Sequence, residues 1–348
     1  MKILSLDLGK YKTVGCDYER ESGQHRFRAI GTTPAGLQQL VKEVKPDRVV
    51  IEVCNIAGWV CDLLRGMGVE VQVANTSDDA WRWRKVKKKN DRCDALKAAQ
   101  LSAVNQLREV HIPIIEVRQW RALIAFRQQL VKRRSKVKNH IRDLLLSEGE
   151  ILPRGAKCWT QLGVACLEAK AKPLNQVGMN ELWRGQLHIE LRQLREVQAD
   201  LELVEEQLDA IAKTDPRIAL LRTIPGVGPR LSEAIVALLD RPERFHKASE
   251  VSAYIGMVPK QFDSGESERH GRITKHGSRV VRSLLVEVAW AGMRYNPWVR
   301  QTYQRISGGK KSRKKIAIVA VGRRLLVRCW AMLRDGTSWR APVTKTAC

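Results

Sequence analysis

The amino-terminal stretch KILSLDLGKYKTVGCDYERESGQHRFRAIG (residues 2–31) contains three short segments with the alternation typical of β-strands. They cover 2–7, 13–19 and 25–31, and Ser22–Gly23 offers a turn between the second and the third. The pattern then changes to alternating helix and strand: a helix at 33–44, a strand at 48–53, a helix at 58–67 and a strand at 69–74. The segment RVVIEV at 48–53 is a short apolar run bounded by polar residues, as expected of a buried central strand. The stretch therefore predicts a three-stranded meander followed by α/β units.

Four carboxylates occupy positions that this element order would bring together. Asp7 closes the first strand, Glu52 lies in the fourth, and Asp91 and Asp94 begin a helix in NDRCDALKAAQL (90–101). A spacing of three places Asp91 and Asp94 on one helical face. Converging acids repel unless cations neutralise them, and carboxylate-rich sites favour Mg²⁺ or Mn²⁺. Each acid alone also has a structural explanation, as a strand-end turn residue, a paired buried acid, or a helix-start residue favoured by the macrodipole.

A second informative stretch is GMVPKQFDSGESERHGRITKHGSRVVRSLL (256–285). Pro and Gly residues predict a loop in its first part, and Ser278 is a candidate N-cap for a helix in its last part. Ser264 is a candidate nucleophile, because a hydroxyl next to a flexible Gly suits attack on a phosphodiester. The surrounding cations are Arg269, His270, Arg272, Lys275, His276, Arg279 and Arg282. The alternative is a basic DNA-contacting loop in which the serine is incidental.

The segment PKQFDSGESERHGRITKHGSRVVRSLL (259–285) resembles the carboxy-terminal catalytic motif of the DEDD transposases of bacterial insertion sequences. The four acids, in their order along the chain, resemble the DEDD set of the same family, and the likeness covers nearly the whole chain. These transposases are bridge-RNA-guided serine recombinases with a RuvC-like (ribonuclease-H-like) amino-terminal domain. The resemblance implies that Ser264 is the nucleophile and that Asp7, Glu52, Asp91 and Asp94 bind metal. It also implies a structured guide RNA, a transient serine–DNA link, and strand exchange between donor and target DNA.

The overall charge predicts a polyanionic partner. The 348 residues carry a formal charge of +25, and the sequence pI is near 10.1. Nucleic acid is the first expectation and an anionic membrane surface the second. No stretch approaches the ~20 apolar residues of a membrane span, and no signal-peptide core is evident, so we expect a cytoplasmic protein without membrane contact. The eight cysteines lack zinc-site spacing and are expected to be reduced thiols.

Two basic segments are candidate nucleic-acid contacts. WRWRKVKKKN (81–90) runs directly into Asp91 and offers Trp81, Arg82, Trp83, Arg84, Lys87, Lys88 and Lys89. Its alternative is a mobile loop whose tryptophans anchor in the core. KRRSKVK (132–138) lies in a helix predicted over 117–146 and offers Arg133 and Arg134. Its alternative is a solvated helix face.

The middle of the chain predicts a linker and then two helical motifs. Gly and Pro punctuate 149–176, which favours a linker or inserted segment. Apolar residues from Leu187 to Ile211 then recur with coiled-coil spacing, which favours oligomerisation; the alternative is an amphipathic helix packed within its own domain. LLRTIPGVGPRLSEAIVALL (220–239) predicts a helix-hairpin-helix in which Gly226 and Gly228 let backbone N–H groups hold a phosphate, or else a plain helix corner. A last helix is predicted at 316–333.

The expected architecture is α/β plus α. A RuvC-like DEDD domain covers 1–148, a linker and coiled-coil-like helical arm cover 149–214, a helical transposase domain with Ser264 covers 215–335, and a tail covers 336–348. Arg269, Arg272, Lys275 and Arg279 are the expected phosphate contacts near the serine, and a homodimer or homotetramer is expected. The alternatives are a metal-dependent junction-resolving nuclease, in which water attacks, and a nucleic-acid-binding protein without catalysis. A protein–DNA adduct would distinguish the first of these from a recombinase.

Overall fold

The computed structural model describes residues 1–75, 90–264 and 267–340. The chain forms two compact units that divide between Gln119 and Trp120. The first unit contains a five-stranded mixed sheet with helices, and the second is mainly helical. This arrangement fits the expected α/β class with a helical carboxy-terminal region. Across the described ranges, every helix is too short or too polar to cross a membrane.

The sheet of the first unit has the strand order β3-β2-β1-β4-β5. Its strands are β1 (Lys2–Leu8), β2 (Lys12–Glu19), β3 (His25–Gly31), β4 (Arg48–Glu52) and β5 (Glu70–Ala74). The first three form an antiparallel meander, and β4 and β5 run parallel to β1. Each predicted strand is confirmed to within one residue at either end, because alternation and polar boundaries mark these strands clearly in the sequence.

Helices cover both faces of this sheet. They are α1 (Pro34–Val44), α2 (Ala57–Gly66) and α3 (Asp91–Ala103). Leu4 and Ile51 belong to the core that α1 and α2 complete, whereas Ile3 and Val50 pack with Ala99 of α3. Since side chains alternate along a strand, the positions in phase with Ile3 and Val50 face α3. This parity decides on which side of the sheet the strand-end acids lie.

Two long helices of the chain pair side by side in opposite directions. They are α4 (Ile115–Ser147) and α6 (Leu182–Thr214). Three contacts fix the antiparallel register, since one residue number falls as the other rises: Arg127 Nε to Glu205 Oε1 at 2.7 Å, Arg134 Nη1 to Gln198 Oε1 at 3.2 Å, and His140 Nδ1 to Glu190 Oε1 at 3.5 Å. All six residues belong to the second unit.

The coiled-coil-like stripe of α6 is buried inside the chain's own second unit. Its buried members are Leu187, Leu191, Leu194, Val197, Leu201, Val204 and Leu208. They share two cores with α4 residues such as Leu130 and Ile141. The amphipathic-helix alternative therefore accounts for the stripe, and the stripe gives no argument for a second subunit.

The segment predicted as a linker contains a packed helix. This helix, α5 (Gln161–Lys170), buries Leu167 in a core with Cys158, Ile141 and Leu187. Of the two predicted possibilities, a linker or an inserted segment, the packed helix favours an inserted segment for this part. The Gly and Pro residues separate short helical pieces, and those pieces cover one end of the α4–α6 pair.

The remaining elements of the second unit are helices and one hairpin: α7 (Pro216–Arg222), α8 (Pro229–Leu239), α9 (Ala248–Tyr254), β6 (Pro259–Ser264), β7 (Ser267–Ile273), α10 (Arg279–Tyr295), α11 (Pro297–Ser307) and α12 (Lys314–Asp335). The stretch predicted as a loop thus forms an antiparallel β-hairpin. Pro and Gly excluded a long helix there, but they allow strands, because Pro259 stands at a strand start where it need not donate to the ladder. The Ser278 cap is confirmed, since its Oγ accepts from Val281 N at 3.3 Å.

Candidate active site and nucleic-acid interface

The parallel pairing of β1 and β4 brings Asp7 and Glu52 to the same end of the sheet. Leu6 stands opposite Ile51 in the register, so the next position on each strand sets Asp7 beside Glu52. Neighbouring strands are about 4.8 Å apart. Both positions are in phase with Ile3 and Val50, which places them on the face that α3 covers.

The orientation of α3 brings its first turn to that same end. Arg48 Nη1 donates to Ser102 Oγ at 3.4 Å, so the carboxyl end of α3 lies at the beginning of β4. Asp94 lies eight residues before Ser102, about 12 Å back along the helix. Glu52 lies four residues after Arg48, about 13 Å forward along the strand. Asp94 therefore stands at the level of Glu52, and it is only 7% exposed.

Local sequence explains why α3 starts where it does. Asn90 caps the helix, and its Oδ1 accepts from Cys93 N at 2.8 Å. Asp91 and Asp94 then occupy the first turn, where carboxylates are favoured by the helix dipole. Asp91 is exposed and Asp94 is buried. The two acids of the D-x-x-D spacing thus differ in their environment, although they share one face of the helix.

The donor chemistry of this edge suits a hard divalent cation, because all four side chains are carboxylates. Asp7, Glu52 and Asp94 each already interact with a neighbouring group. Within the part of the chain that the structure describes, no three His, Cys, Asp or Glu residues are close enough together to hold a metal ion. The fold thus brings the supporting elements to one edge, and metal binding by the four acids stays a prediction.

Ser264 is the last residue of β6 and pairs with Ser267 of β7. Both serines therefore lie at the tip of the hairpin, on either side of residues 265 and 266, which lie outside the described residues. The base of the hairpin is closed by main-chain hydrogen bonds from Thr274 N to Val258 O at 2.9 Å and from Lys275 N to Gly256 O at 3.0 Å.

Two glycines allow the chain segments at the hairpin base to touch. Gly256 and Gly277 have φ values of +69° and +71°. A Cβ at Gly256 would stand 2.2 Å from His276 N, and a Cβ at Gly277 would stand 2.2 Å from Tyr254 O. No other residue type fits either position without moving the backbone. The sequence contains no local signal of this crossing, because it joins residues about twenty positions apart.

One of the cations in the sequence around Ser264 has a structural role. Arg282 Nη1 donates to the carbonyl oxygens of Ile255 at 2.9 Å and Gly277 at 3.1 Å, and also to that of His276. Burial lowers the pKa of the Arg282 guanidinium, and the nearby charge of Arg279 lowers it further. Arg282 therefore stabilises the hairpin base.

Three other cations of the motif lie at the surface, and a fourth is placed by the hairpin register. Arg272, Lys275 and Arg279 are exposed, and Arg269 stands opposite Phe262 in the hairpin register. A cleft of about 590 Å³ is lined by the cations Lys275, Arg279 and Arg282 and by apolar residues that include Met257, Ile273, Val286 and Val319. The cleft is therefore lined by both positively charged and apolar side chains.

The further predicted contacts lie in three places. Arg133 is exposed on α4, whereas Arg134 bonds to Gln198 of α6. Gly226 has a φ of +88° in the turn between α7 and α8, and Gly228 precedes α8 with open space where a Cβ would be. The tryptophan-containing basic segment falls outside the described residues, and with it the predicted contacts Trp81, Arg82, Trp83, Arg84, Lys87, Lys88 and Lys89.

Comparison with known proteins gives matches over most of the chain. A model of DEDD transposases of the IS110 type matches residues 4–148, and a model described as the transposase IS116/IS110/IS902 family matches residues 218–304. The transposase for insertion sequence element IS1111A of Coxiella burnetii is 28% identical over 98% of this chain and 92% of its own length. A probable family 20 transposase of Pseudomonas aeruginosa is 27% identical over 88% of this chain and 89% of its own. The transposase for insertion sequence element IS1328 of Yersinia enterocolitica is 24% identical over 96% of this chain and 97% of its own length.

Both units of the chain contribute to these matches, and the relatives align over nearly their full length. Such transposases cut and rejoin DNA, which is the polyanionic partner that the charge of the chain predicts. The chain belongs to the DEDD transposase family of bacterial insertion sequences.

Proposed function

We propose that this transposase is an RNA-guided, site-specific recombinase that cuts and rejoins DNA through a covalent link to Ser264. In this proposal Asp7, Glu52, Asp91 and Asp94 bind Mg²⁺ or Mn²⁺. The observation that carries it is that β1, β4 and the first turn of α3 bring Asp7, Glu52 and the buried Asp94 to the same end of the sheet. A divalent ion there would stabilise the charge that develops on the oxygens of a phosphoryl-transfer step.

The serine step conserves the energy of the phosphodiester. Ser264 Oγ bonds to phosphorus while the bond from phosphorus to one deoxyribose oxygen breaks, and the serine proton passes to that leaving oxygen. Rejoining reverses the step, as a deoxyribose hydroxyl of the new partner strand attacks phosphorus and serine leaves. One phosphodiester replaces another at each stage, so no external energy source is required.

The partners that we propose follow from the basic surface. A structured guide RNA and the donor and target DNA would contact Arg133, Arg269, Arg272, Lys275 and Arg279 through their phosphates. Part of Arg134's bonding capacity is already used by Gln198. We assign the α7–α8 pair as a helix-hairpin-helix, in which the first N–H groups of α8, beyond Gly228, hold a backbone phosphate. A homodimer or homotetramer would supply the paired active centres that strand exchange needs.

The decisive experiment compares the two serines of the hairpin tip. Ser264→Ala should abolish both strand breakage and the covalent protein–DNA adduct, while DNA binding stays near the level of the unmodified protein. Ser267→Ala is the matched control, because it pairs with Ser264 across the hairpin. An adduct that persists in Ser264→Ala and disappears in Ser267→Ala would show that Ser267 is the nucleophile. Cleavage without any adduct would favour the resolvase alternative, in which water attacks.

A second experiment tests the carboxylates. Asp7→Asn, Glu52→Gln, Asp91→Asn and Asp94→Asn should each strongly reduce cleavage, because one lost charge weakens both neutralisation and positioning of the cation. Glu70→Gln is the control, since Glu70 begins β5 at the opposite end of the sheet and pairs with Arg48. Cleavage that continues undiminished in EDTA would exclude the metal role.

A further inference from the structure

The cleft beside the hairpin base is lined by residues of both α10 and α12, and these two helices contact each other again beyond it, at Trp290 and Lys314. Arg279, Ser283, Val286 and Trp290 recur at intervals of three or four along α10, so they share one face of that helix. On α12, Val319 lines the cleft with Val286, and Lys314 lies over Trp290. Residue numbers on α12 fall as those on α10 rise, so the two helices are antiparallel. We call this surface the α10–α12 groove, defined by Lys275, Arg279, Val286, Trp290, Lys314 and Val319.

The far end of the groove is an aromatic platform. Trp290 is 38% exposed, and its ring centroid lies 6.0 Å from that of Tyr303 on α11. Lys314 Nζ is 5.2 Å from the Trp290 centroid, and Ile316 nearby is exposed. A large, partly exposed ring beside a neighbouring aromatic offers a surface on which another planar ring can stack.

The part of the sequence that contains this platform is strongly basic and has almost no acidic residues. Glu287, exposed on the turn of α10 before Trp290, is the single acid between Arg269 and Arg334 in the sequence. The same stretch exposes several cations: Arg294, Arg305, Lys310, Lys311, Arg313 and Lys315. Among the described residues, the only salt bridge from Arg279 onward is that of Arg334 with Asp335. The complementary ligand is therefore a polyanion that carries planar rings.

We propose that the α10–α12 groove binds an unpaired segment of nucleic acid, with one base stacked on Trp290 and phosphates on Lys275, Arg279 and Lys314. Arg279 and Trp290 are eleven residues apart, about 16 Å along the helix, which accommodates about five stacked nucleotides at 3.4 Å each. A paired base has its faces covered by its neighbours, so stacking on Trp290 selects a single strand or a displaced base. The assignment builds on the proposed function, because strand exchange and a guide RNA both supply unpaired segments.

The test measures binding in full-length Ser264→Ala protein, so that the result does not depend on which residue is the nucleophile. Short fluorescent single-stranded DNA, single-stranded RNA and duplex DNA of one sequence are titrated by anisotropy. Trp290→Ala should weaken single-strand binding about 5- to 150-fold, the range expected for one lost base stack, and leave duplex binding unchanged. Trp290→Phe should recover most of the loss.

Two matched controls distinguish a role of the groove from the loss of any exposed aromatic side chain or any exposed cation. Tyr295→Ala removes a 64% exposed aromatic from another face of α10 and should leave binding unchanged. Lys314→Ala should reduce the slope of log K against log salt by about 0.7, whereas Lys213→Ala, an exposed cation at the end of α6, should not. Circular dichroism establishes that each variant is folded.

The comparison of single-stranded DNA with single-stranded RNA also shows which nucleic acid occupies the groove. Tighter DNA binding that depends on Trp290 assigns the groove to the exchanged strand, and tighter RNA binding assigns it to the guide. An equal effect of Trp290→Ala and Tyr295→Ala on single-strand binding would overturn the proposal. That result would leave the serine mechanism intact, because the adduct of Ser264 is measured separately.

Discussion

Glu233 is a carboxylate that the helical unit buries almost completely. It lies on α8 with 1% of its side chain exposed, and Arg230 Nη1 stands 3.1 Å from its Oε1. Arg230 also pairs with Asp209 of α6. Burial raises the pKa of Glu233 to about 7, because the loss of hydration outweighs the attraction of Arg230; the charge of Asp209 raises the pKa further, and that of Arg127 lowers it.

This raised pKa predicts a pH-dependent stability. The folded state holds the proton of Glu233 more tightly than the unfolded state, whose pKa is near 4.5. The free energy of unfolding should therefore fall as pH rises from about 4.5 to about 7, by at most about 3 kcal/mol from this group. Glu233→Gln should flatten that part of the profile in urea unfolding. An unchanged profile in Glu233→Gln would show that other groups titrate in this window.

Two arginines of one motif show that the residue type alone does not determine the role of a side chain. The sequence presents Arg279 and Arg282 as two equivalent cations of one motif. In the structure Arg279 is exposed at a cleft, whereas Arg282 donates to three main-chain carbonyl oxygens. The difference depends on where the chain before the hairpin passes, and no local pattern contains that information.

The position of the β6–β7 hairpin depends on the close crossing of chain segments at its base. Gly277→Ala should move the hairpin and reduce cleavage, because the new Cβ would stand 2.2 Å from Tyr254 O at a φ of +71°. The stability loss should exceed the roughly 1 kcal/mol of a simple glycine replacement at positive φ. Unfolding and cleavage assays measure the two effects.

Gly308→Ala is the control for this substitution. Gly308 ends α11 at a φ of +56°, and nothing lies within 4 Å of an added Cβ. It should cost only about 1 kcal/mol and leave cleavage unchanged. Equal effects of Gly277→Ala and Gly308→Ala would show that the close crossing does not constrain the hairpin.

The α4–α6 pair provides a second prediction for an element. Leu191→Ala should lower the free energy of unfolding by about 2 to 5 kcal/mol, because Leu191 is buried against the chain's own α4 and α5. Leu203→Ala, at an exposed position of the same helix, should change stability little. Light scattering should find the same oligomeric state for both. Dissociation of an oligomer by Leu191→Ala, without a loss of subunit stability, would instead place the stripe between subunits.

At the scale of the whole molecule, the two parts of the predicted site lie in different units. Asp7 belongs to the first and Ser264 to the second. We predict that the working site takes its carboxylates from one subunit and its serine from another. Asp7→Ala and Ser264→Ala proteins, each inactive alone, should then recover single-site cleavage when mixed under conditions of subunit exchange. Confirmed mixed oligomers without any cleavage would contradict the shared site.

A control reverses this logic. The double mutant Asp7→Ala with Ser264→Ala is mixed with the unmodified protein. A shared site leaves every centre of the mixed pair lacking one component, so cleavage by mixed pairs should be lost. A site within one chain would leave the unmodified subunit's centre intact. The two mixtures must agree, because each outcome follows from the same assignment of components.

The sequence by itself determined the strands of the first unit, the start of a helix at Asp91 and Asp94, and the long helices α4 and α6. It also determined the order of the four acids and of Ser264, through which the family could be identified. These features are local, because alternation, helical period and capping depend on residues a few positions apart. The tertiary structure alone decided that the α6 stripe packs on α4, that the predicted linker contains a packed helix, and that Arg282 bonds to carbonyls. A sequence pattern shows which face of an element is buried, but the partner that covers it is set by contacts between residues far apart in the chain.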